Sequence, residues 1–231
     1  MVVEFSLLLI PTTEDMHRNI AGPKVSQWKS GYRDFNDEYE MTTEIIKQIN
    51  NTVGKDDTLY HLGDWSFGGI DKIWEFRKQI NCKNIHLILG NHDHHIENNK
   101  ELPNLIYNSW SKYVRHVDDK KLGLPDDKIC FPIHLFSSIQ HVKSVTIGKH
   151  KFFLSHFAHR VWDKSHHGII HLYGHSHNSI DNNWGKSMDV GVDAAYAMLG
   201  AYRPFSLQEI IDIMDKREVK VLDHHNNNTN E

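Results

Sequence analysis

Asn84-Ile-His-Leu-Ile-Leu-Gly-Asn-His-Asp93 is the stretch whose reading decides the fold. Ile85 to Leu89 is a short apolar run that stops at Gly90-Asn91, as a buried strand does when it enters a turn. Thr58 to Leu62 behaves the same way and stops at Gly63-Asp64. Between them, Ile70, Ile73, Trp74 and Ile80 mark a helix. Strand, helix and strand in that order argue for a parallel sheet built from βαβ units.

Working outward, Phe5 to Ile10 reads as a first buried strand ending at Pro11, followed by a polar loop from Thr12 to Asp37. Met41, Ile45, Ile46 and Ile49 recur at helical spacing, which predicts an amphipathic helix over Glu38 to Asn50. Glu97 to Leu135 is turn-rich, with helical spacing around Leu105 to Tyr113. Beyond it, Val145 to Ile147 and Lys151 to Leu154 flank a Gly148-Lys149 turn and predict a hairpin. Ile169 to Tyr173, Met188 to Val192 and Val219 to Leu222 read as further strands. Ser206-x-x-Glu209 is a capping box opening a helix with Leu207, Ile210, Ile211 and Met214 on one face. No repeat or linker interrupts this order. Residues 1–223 are therefore expected to form one α/β domain, with 224–231 a frayed polar tail.

Composition narrows the function classes. Hydrophobic residues make up 39% of 231 and charged residues 24%, enough apolar content for a packed core. A net charge of −4 is too mild to imply a basic nucleic-acid surface, though it does not forbid a local basic groove, so a nucleic-acid partner is possible but not indicated. Two cysteines in no CxxC pattern argue against a disulfide scaffold and a thiolate zinc module, and a reducing cytoplasm is the simplest compartment. Met1 to Ile10 contains Glu4 and lacks a basic flank, so it reads as a strand rather than a signal peptide. No stretch approaches a membrane span, and no membrane partner is expected. The unusual number is 19 histidines.

The chemistry-bearing residues share one placement. Asp64, Asn91, His156 and His175 each fall one or two residues after an apolar run. Loops at the carboxyl ends of sheet strands converge on one edge, where ligands bind. Each string has a bland reading by itself, since Gly-Asp and Gly-Asn-His-Asp are also good turns. Their shared order and placement favour a metal site. Carboxylate, amide and imidazole ligands suit manganese above all, with iron, zinc or nickel as alternatives. Asp64 is the candidate to bridge two cations. Such a pair, roughly 3.5–4 Å apart, holds a hydroxide nucleophile and grips phosphate oxygens. In Gly174-His175-Ser176-His177, alternation after a strand is expected to set both rings on one side. His92 follows a ligand directly and is the candidate proton donor to a leaving oxygen, with Asp93 expected to fix its tautomer.

At these residues the chain resembles the calcineurin-like metallophosphoesterase superfamily, whose signature runs Asp-x-His, Gly-Asp, Gly-Asn-His-Asp/Glu, a lone His and Gly-His-x-His. Gly63-Asp64, Gly90-Asn91-His92-Asp93, His156 and Gly174-His175-Ser176-His177 match the last four. The segments Asp57 to Asp64, Arg160 to His167, Val190 to Asp193 and Tyr202 to Pro204 look like the small single-domain bacterial and phage members. The resemblance implies a two-sheet β-sandwich flanked by helices, layered α/β/β/α. It also implies that Asp64 bridges two divalent cations, that Asn91, His156 and His175 complete one of them, that His177 serves the other, and that His92 is the acid.

The first motif departs from the pattern. Counting back from Asn19-Ile20 puts Thr12 and Glu14 where the family has Asp and His, whereas the string Asp15-Met16-His17 lies three residues later. Three readings stay open: Asp15 and His17 reach the metal after a loop shift, Glu14 or Asp15 substitutes as an oxygen ligand, or the first metal site is degraded. The first is preferred, which adds Asp15 and His17 to the metal ligands. Arg160 and His167 are candidates for substrate phosphate contacts. Trp28, Trp65 and Trp110 read as core. The leading expectation is a two-metal phosphatase or phosphodiesterase acting on a small phosphorylated substrate or nucleotide. A nuclease on the same metals, and a scaffold of the same fold that has lost catalysis, are the alternatives.

Overall fold

The computed structural model describes residues 33–65, 73, 76–97, 135–181 and 184–222, together with the backbone of Val3–Ser6. Two sheets carry the chain. The first holds five strands in the order β4-β3-β2-β1-β9: β1 (Val3–Ser6), β2 (Thr58–His61), β3 (Asn84–Ile88) and β4 (Ser138–Gln140) run parallel, and β9 (Phe205–Ser206) pairs antiparallel with β1. The second is ordered β5-β6-β7-β8. A hairpin of β5 (Val142–Ile147) and β6 (His150–Ser155) turns at Gly148, and β7 (Ile170–Tyr173) and β8 (Ser187–Asp189) add in parallel.

The first sheet has apolar residues on both faces, as parallel strands covered on both sides require. Leu59, Ile85 and Leu87 pack against Met41, Ile45, Ile46 and Ile49 of helix α1 (Glu38–Thr52). Asp37 caps that helix by accepting from the Glu40 N–H at 2.8 Å, and a single helical turn, α2 (His94–Glu97), follows β3. Burying each of the four apolar side chains stabilises by about 1.5–3 kcal/mol before the entropy of ordering is subtracted. Tyr60, Leu62 and Ile88 point the other way. They meet Phe152, Leu154, Ile170, Leu172 and Met188 of the second sheet in a core that also holds Ile210 and Met214 of helix α4 (Leu207–Met214). The architecture is thus the expected sandwich of two sheets with helices outside it.

Most of the anticipated elements are present with ends moved by a residue or two. The hairpin and the Ser206/Glu209 capping box form as read. Two readings need correction. Met188 to Val192 is not one strand: β8 ends at Asp189, and Gly191 becomes the N-cap of helix α3 (Val192–Leu199). Val219 to Leu222 forms no strand; Val219 and Leu222 are exposed, and the segment covers Gly168, Gly185 and Trp184 as irregular chain. The first strand is described only as Val3–Ser6. The spacing around Leu105 to Tyr113, Trp28, Trp110 and the polar tail lie outside the described residues. Trp65 is fully buried against Phe76 and Phe136, a core residue as expected. Among the described residues no helix is long and apolar enough to cross a membrane.

Candidate metal centre

The sandwich brings four strand ends to one edge. Asp64 follows β2, Asn91 follows β3, His156 follows β6 and His175 follows β7, so each sheet contributes two residues. Their polar atoms converge on His156 Nε2: Asn91 Oδ1 at 3.0 Å, His175 Nδ1 at 3.2 Å and Asp64 Oδ2 at 3.4 Å. Asp64, His156 and His175 each place a ligating atom within 4.8 Å of the others.

The protonation pattern makes this cluster informative. His156 Nδ1 lies 2.7 Å from the Leu62 carbonyl, which can only accept, so the proton sits on Nδ1. The neutral ring then turns the Nε2 lone pair toward a carboxylate oxygen, an amide oxygen and another imidazole nitrogen. Such a gathering of acceptor atoms favours positive charge between them, supplied by a proton on His175 Nδ1, by a second proton on His156 or by a divalent cation. The electrostatics agree. Burial by itself lowers the His156 pKa, but Asp64 and the Leu62 carbonyl raise it above the ordinary histidine value. Burial likewise pushes Asp64 up, yet His156 and the His92 N–H, 2.8 Å from Oδ1, leave it below the usual carboxylate range. His175 is held low, first by burial and then by the nearby His156. Mixed oxygen and imidazole donors of this kind fit a borderline divalent metal.

Two glycines permit the convergence. Gly63 has φ +100°, and a Cβ there would collide with His156 Nδ1 and sit 2.7 Å from Gly90 Cα. A Cβ on Gly90 would collide with Asp64 Oδ1 and lie 2.5 Å from the Asp64 nitrogen. The ligand loops also carry strain: Asp64, His175, His177 and Asn178 have φ of 55°, 56°, 48° and 58°.

Buried carboxylates hold these loops. Asp93 Oδ2 accepts from the Asp64 and Gly90 N–H groups, both at 2.8 Å, and Oδ1 accepts from Trp65 N–H at 2.7 Å. The expectation had Asp93 orienting the His92 ring; its oxygens instead tie the Gly63-Asp64 loop to the Gly90-Asn91 loop. Burial pushes its pKa up to about 6 against those three bonds. Asp189 plays the same part on the other sheet, accepting from the Asn178 N–H at 3.0 Å and the Gly191 N–H at 2.7 Å, and burial raises it to about 7. His92 itself is half-buried, anchored by its backbone N–H on Asp64.

His177 stands apart from the four-atom cluster. The alternating pair does not run as a strand; both histidines sit in left-handed backbone and their rings take different partners. His177 is buried, with Nδ1 2.8 Å from Asp193 Oδ2, and Asp193 in turn pairs with Arg33. Burial would raise the Asp193 pKa, but Arg33 and His177 together hold it far below the ordinary carboxylate range. Neither Arg33 nor Asp193 was singled out from sequence for the site. Asp193 falls within the Val190 to Asp193 string, the available signal; Arg33 lies in a loop with none.

Among the described residues, Arg160 and His167 make no hydrogen bond or ion pair with the four residues of the cluster. Arg160 is exposed and borders a cavity of about 310 Å³ with His159, Tyr173, Asp181 and Trp184. His167 ends a 3₁₀ turn and borders a cavity of about 490 Å³ with Lys149, His150, Lys151 and Lys164. His150 and Lys151 begin β6, whereas His156 follows its end, so the six residues of the strand, about 3.3 Å each, separate His167 from the cluster. Asp15 and His17 lie outside the described residues.

Comparison with known proteins bears on the fold and the family. A solved structure described as the protein of unknown function AQ665 from Aquifex aeolicus is similar to the chain with a TM-score of 0.52 at 16% identity, over 92% of this chain and 98% of that one. At that identity the likeness concerns the fold. No curated protein matches the chain. The model of the family described as calcineurin-like phosphoesterase matches residues 15–226. This match spans most of the chain and includes every strand-end residue of the cluster, and the chain belongs to the calcineurin-like phosphoesterase family.

Proposed function

We propose that the protein is a two-metal phosphoester hydrolase, with manganese the preferred cation and a small phosphorylated compound or nucleotide as substrate. The observation that carries the reading is the convergence of a carboxylate, an amide oxygen and two imidazoles, from Asp64, Asn91, His156 and His175, on one point. These four would hold one cation. Asp64 would be shared with a second, completed by His177 and, from the segment outside the described residues, by Asp15 and His17. Bound there, the cations would supply Lewis acidity toward water and phosphate oxygens.

The remaining work falls to the chain. The His92 N–H holds Asp64 Oδ1 in place, and the His92 ring, half-buried beside the cluster, donates a proton to the departing oxygen. Asp93 keeps the two loops together so that His92 and Asp64 move as one unit. Both phosphomonoesters and phosphodiesters fit this division of labour.

Turnover of p-nitrophenyl phosphate and bis-p-nitrophenyl phosphate, with manganese and after chelation, tests the reading. Wild-type protein should hydrolyse at least one of them only with the cation present. His156→Ala should lose both bound manganese and turnover. Metal-independent turnover, or full metal content in His156→Ala, would reject the assignment.

A further inference from the structure

Arg33 lies just ahead of α1 and has no exposed surface. It meets the Asp193 carboxylate at two points, Nε to Oδ1 at 2.7 Å and Nη2 to Oδ2 at 2.8 Å. Asp193 sits in the first turn of α3, where the helix N-terminus favours a carboxylate. Its Oδ2 also receives His177 Nδ1 at 2.8 Å. The chain of contacts therefore links three segments: the approach to α1, the start of α3 and the Gly174–His177 loop.

A buried guanidinium–carboxylate pair is a weak source of stability, because apolar side chains of similar volume in its place are often neutral or better. What it supplies is orientation. Two-point contact stops the carboxylate from rotating, and the fixed Oδ2 then defines where the His177 N–H must point. An Asp193 acceptor at Nδ1 sets the His177 tautomer and leaves Nε2 as the ligating nitrogen. The loop has need of such a hold, since His175, His177 and Asn178 all sit at positive φ. Asp189 fixes the Asn178 backbone, and Asp193 fixes the His177 ring.

We propose that Arg33 and Asp193 are positioning residues for the metal centre, the guanidinium locking the carboxylate and the carboxylate presenting His177 Nε2 to a cation. This rests on the reading of His177 as a metal ligand. The test measures manganese affinity by chelator competition in four proteins: wild type, His177→Ala, Asp193→Asn and the double variant His177→Ala/Asp193→Asn. Visible absorption of the cobalt-loaded proteins reports the ligand geometry independently of turnover. Asp193→Asn should weaken binding about 10–100-fold, as loss of a carboxylate behind a ligating histidine does, and the double variant should bind no worse than His177→Ala alone. An apolar swap, Arg33→Met/Asp193→Leu, fills the same space; it should keep the thermal midpoint and show the same loss of affinity.

Wild-type affinity and cobalt spectrum in Asp193→Asn and in the swap would overturn the positioning role while His177→Ala still loses metal. Multiplying losses in the double variant would also overturn it, since the two residues would then act separately. Failure of both Asp193→Asn and the swap to fold would assign the pair to the fold instead. If His177→Ala binds manganese like wild type, the ligand reading of His177 falls, and this proposal with it.

Discussion

Replacing Gly90 with alanine isolates the close approach of the two strand-end loops from every other property of the site. Gly90 is not among the glycines at positive φ, so alanine meets no conformational barrier there. Its Cβ would lie 2.5 Å from the Asp64 backbone nitrogen and 2.8 Å from His156 Cε1, against 3.4 Å for ordinary contact. The first neighbour is backbone and cannot swing aside. Relief requires the loops to part by about 0.9 Å, the difference between 3.4 and 2.5 Å. Overpacking of this size typically costs about 1–3 kcal/mol of stability, and in a chain of this length each kcal/mol lowers the thermal midpoint by about 2–4 °C. The effect on chemistry is larger. A misplacement near 1 Å can cost about 100-fold in rate, and here it would fall on Asp64 and His156 together. Manganese retained after gel filtration, turnover of bis-p-nitrophenyl phosphate and the thermal midpoint would be measured beside Gly148→Ala. Gly148 is the right control: its φ of 58° taxes any side chain, but a Cβ there meets open space in the β5–β6 turn. Gly148→Ala should lose stability and keep metal and turnover; Gly90→Ala should lose all three. If Gly90→Ala retains metal and turns over within threefold of wild type, close loop contact is not what builds the centre.

Two further outcomes follow from the same structure. His171 is fully buried, accepts the His159 N–H on Nε2 at 3.0 Å and donates from Nδ1 to the Phe153 carbonyl at 3.1 Å, and burial holds its pKa down to about 4. The unfolded chain, near 6.5, therefore takes this proton first, so the stability contribution is complete above pH 6.5 and is lost as pH falls toward 4, by about 3 kcal/mol at about 1.4 per pH unit. Asp93 and Asp189, raised by burial, act in the opposite direction and do so in both wild type and a His171→Phe variant. Urea titrations of metal-free protein between pH 7 and 4.5 should therefore show wild type losing stability relative to His171→Phe as pH falls; parallel curves would refute it. Separately, His92→Ala should cut turnover while leaving manganese bound, whereas Asp93→Asn, which puts an amide donor among three backbone donors, should lose both; normal metal content in Asp93→Asn would remove its loop-tying role.

The residues of the cluster were legible because each string pairs a metal-competent side chain with the end of an apolar run, and strand periodicity is a strong local signal. The same logic places α1, where Met41, Ile45, Ile46 and Ile49 lie one turn apart and are all buried. It fails where one signal covers two structures. Met188 to Val192 is apolar enough to pass for a single strand, and only the Gly191 cap and the alanines after it mark the change to α3. Val219 to Leu222 alternates like a strand, but among the described residues no partner strand receives it in the sheet order. Arg160 and His167 illustrate a further limit. Both lie between ligand-bearing strands in sequence, yet the 3₁₀ turn carries His167 back toward the beginning of β6.

The role of Asp93 shows why such motifs are short and yet sufficient. A metal centre at loop ends faces a backbone problem before a ligand problem: left-handed residues and tight turns expose N–H groups that the sheet no longer satisfies. Asp93 takes three of them and Asp189 two, one carboxylate on each side of the sandwich. In Gly90-Asn91-His92-Asp93 a single turn therefore contains the glycine that allows the approach, the proposed ligand, the proposed acid and the acceptor that fastens the turn to its neighbour. Asp193 extends the device from backbone to side chain by fastening a ring instead of an N–H. The parts of the centre that a sequence hides are then those whose partners lie far along the chain. Arg33 and Asp193, 160 residues apart, are joined by charge and burial, and neither leaves a periodic trace.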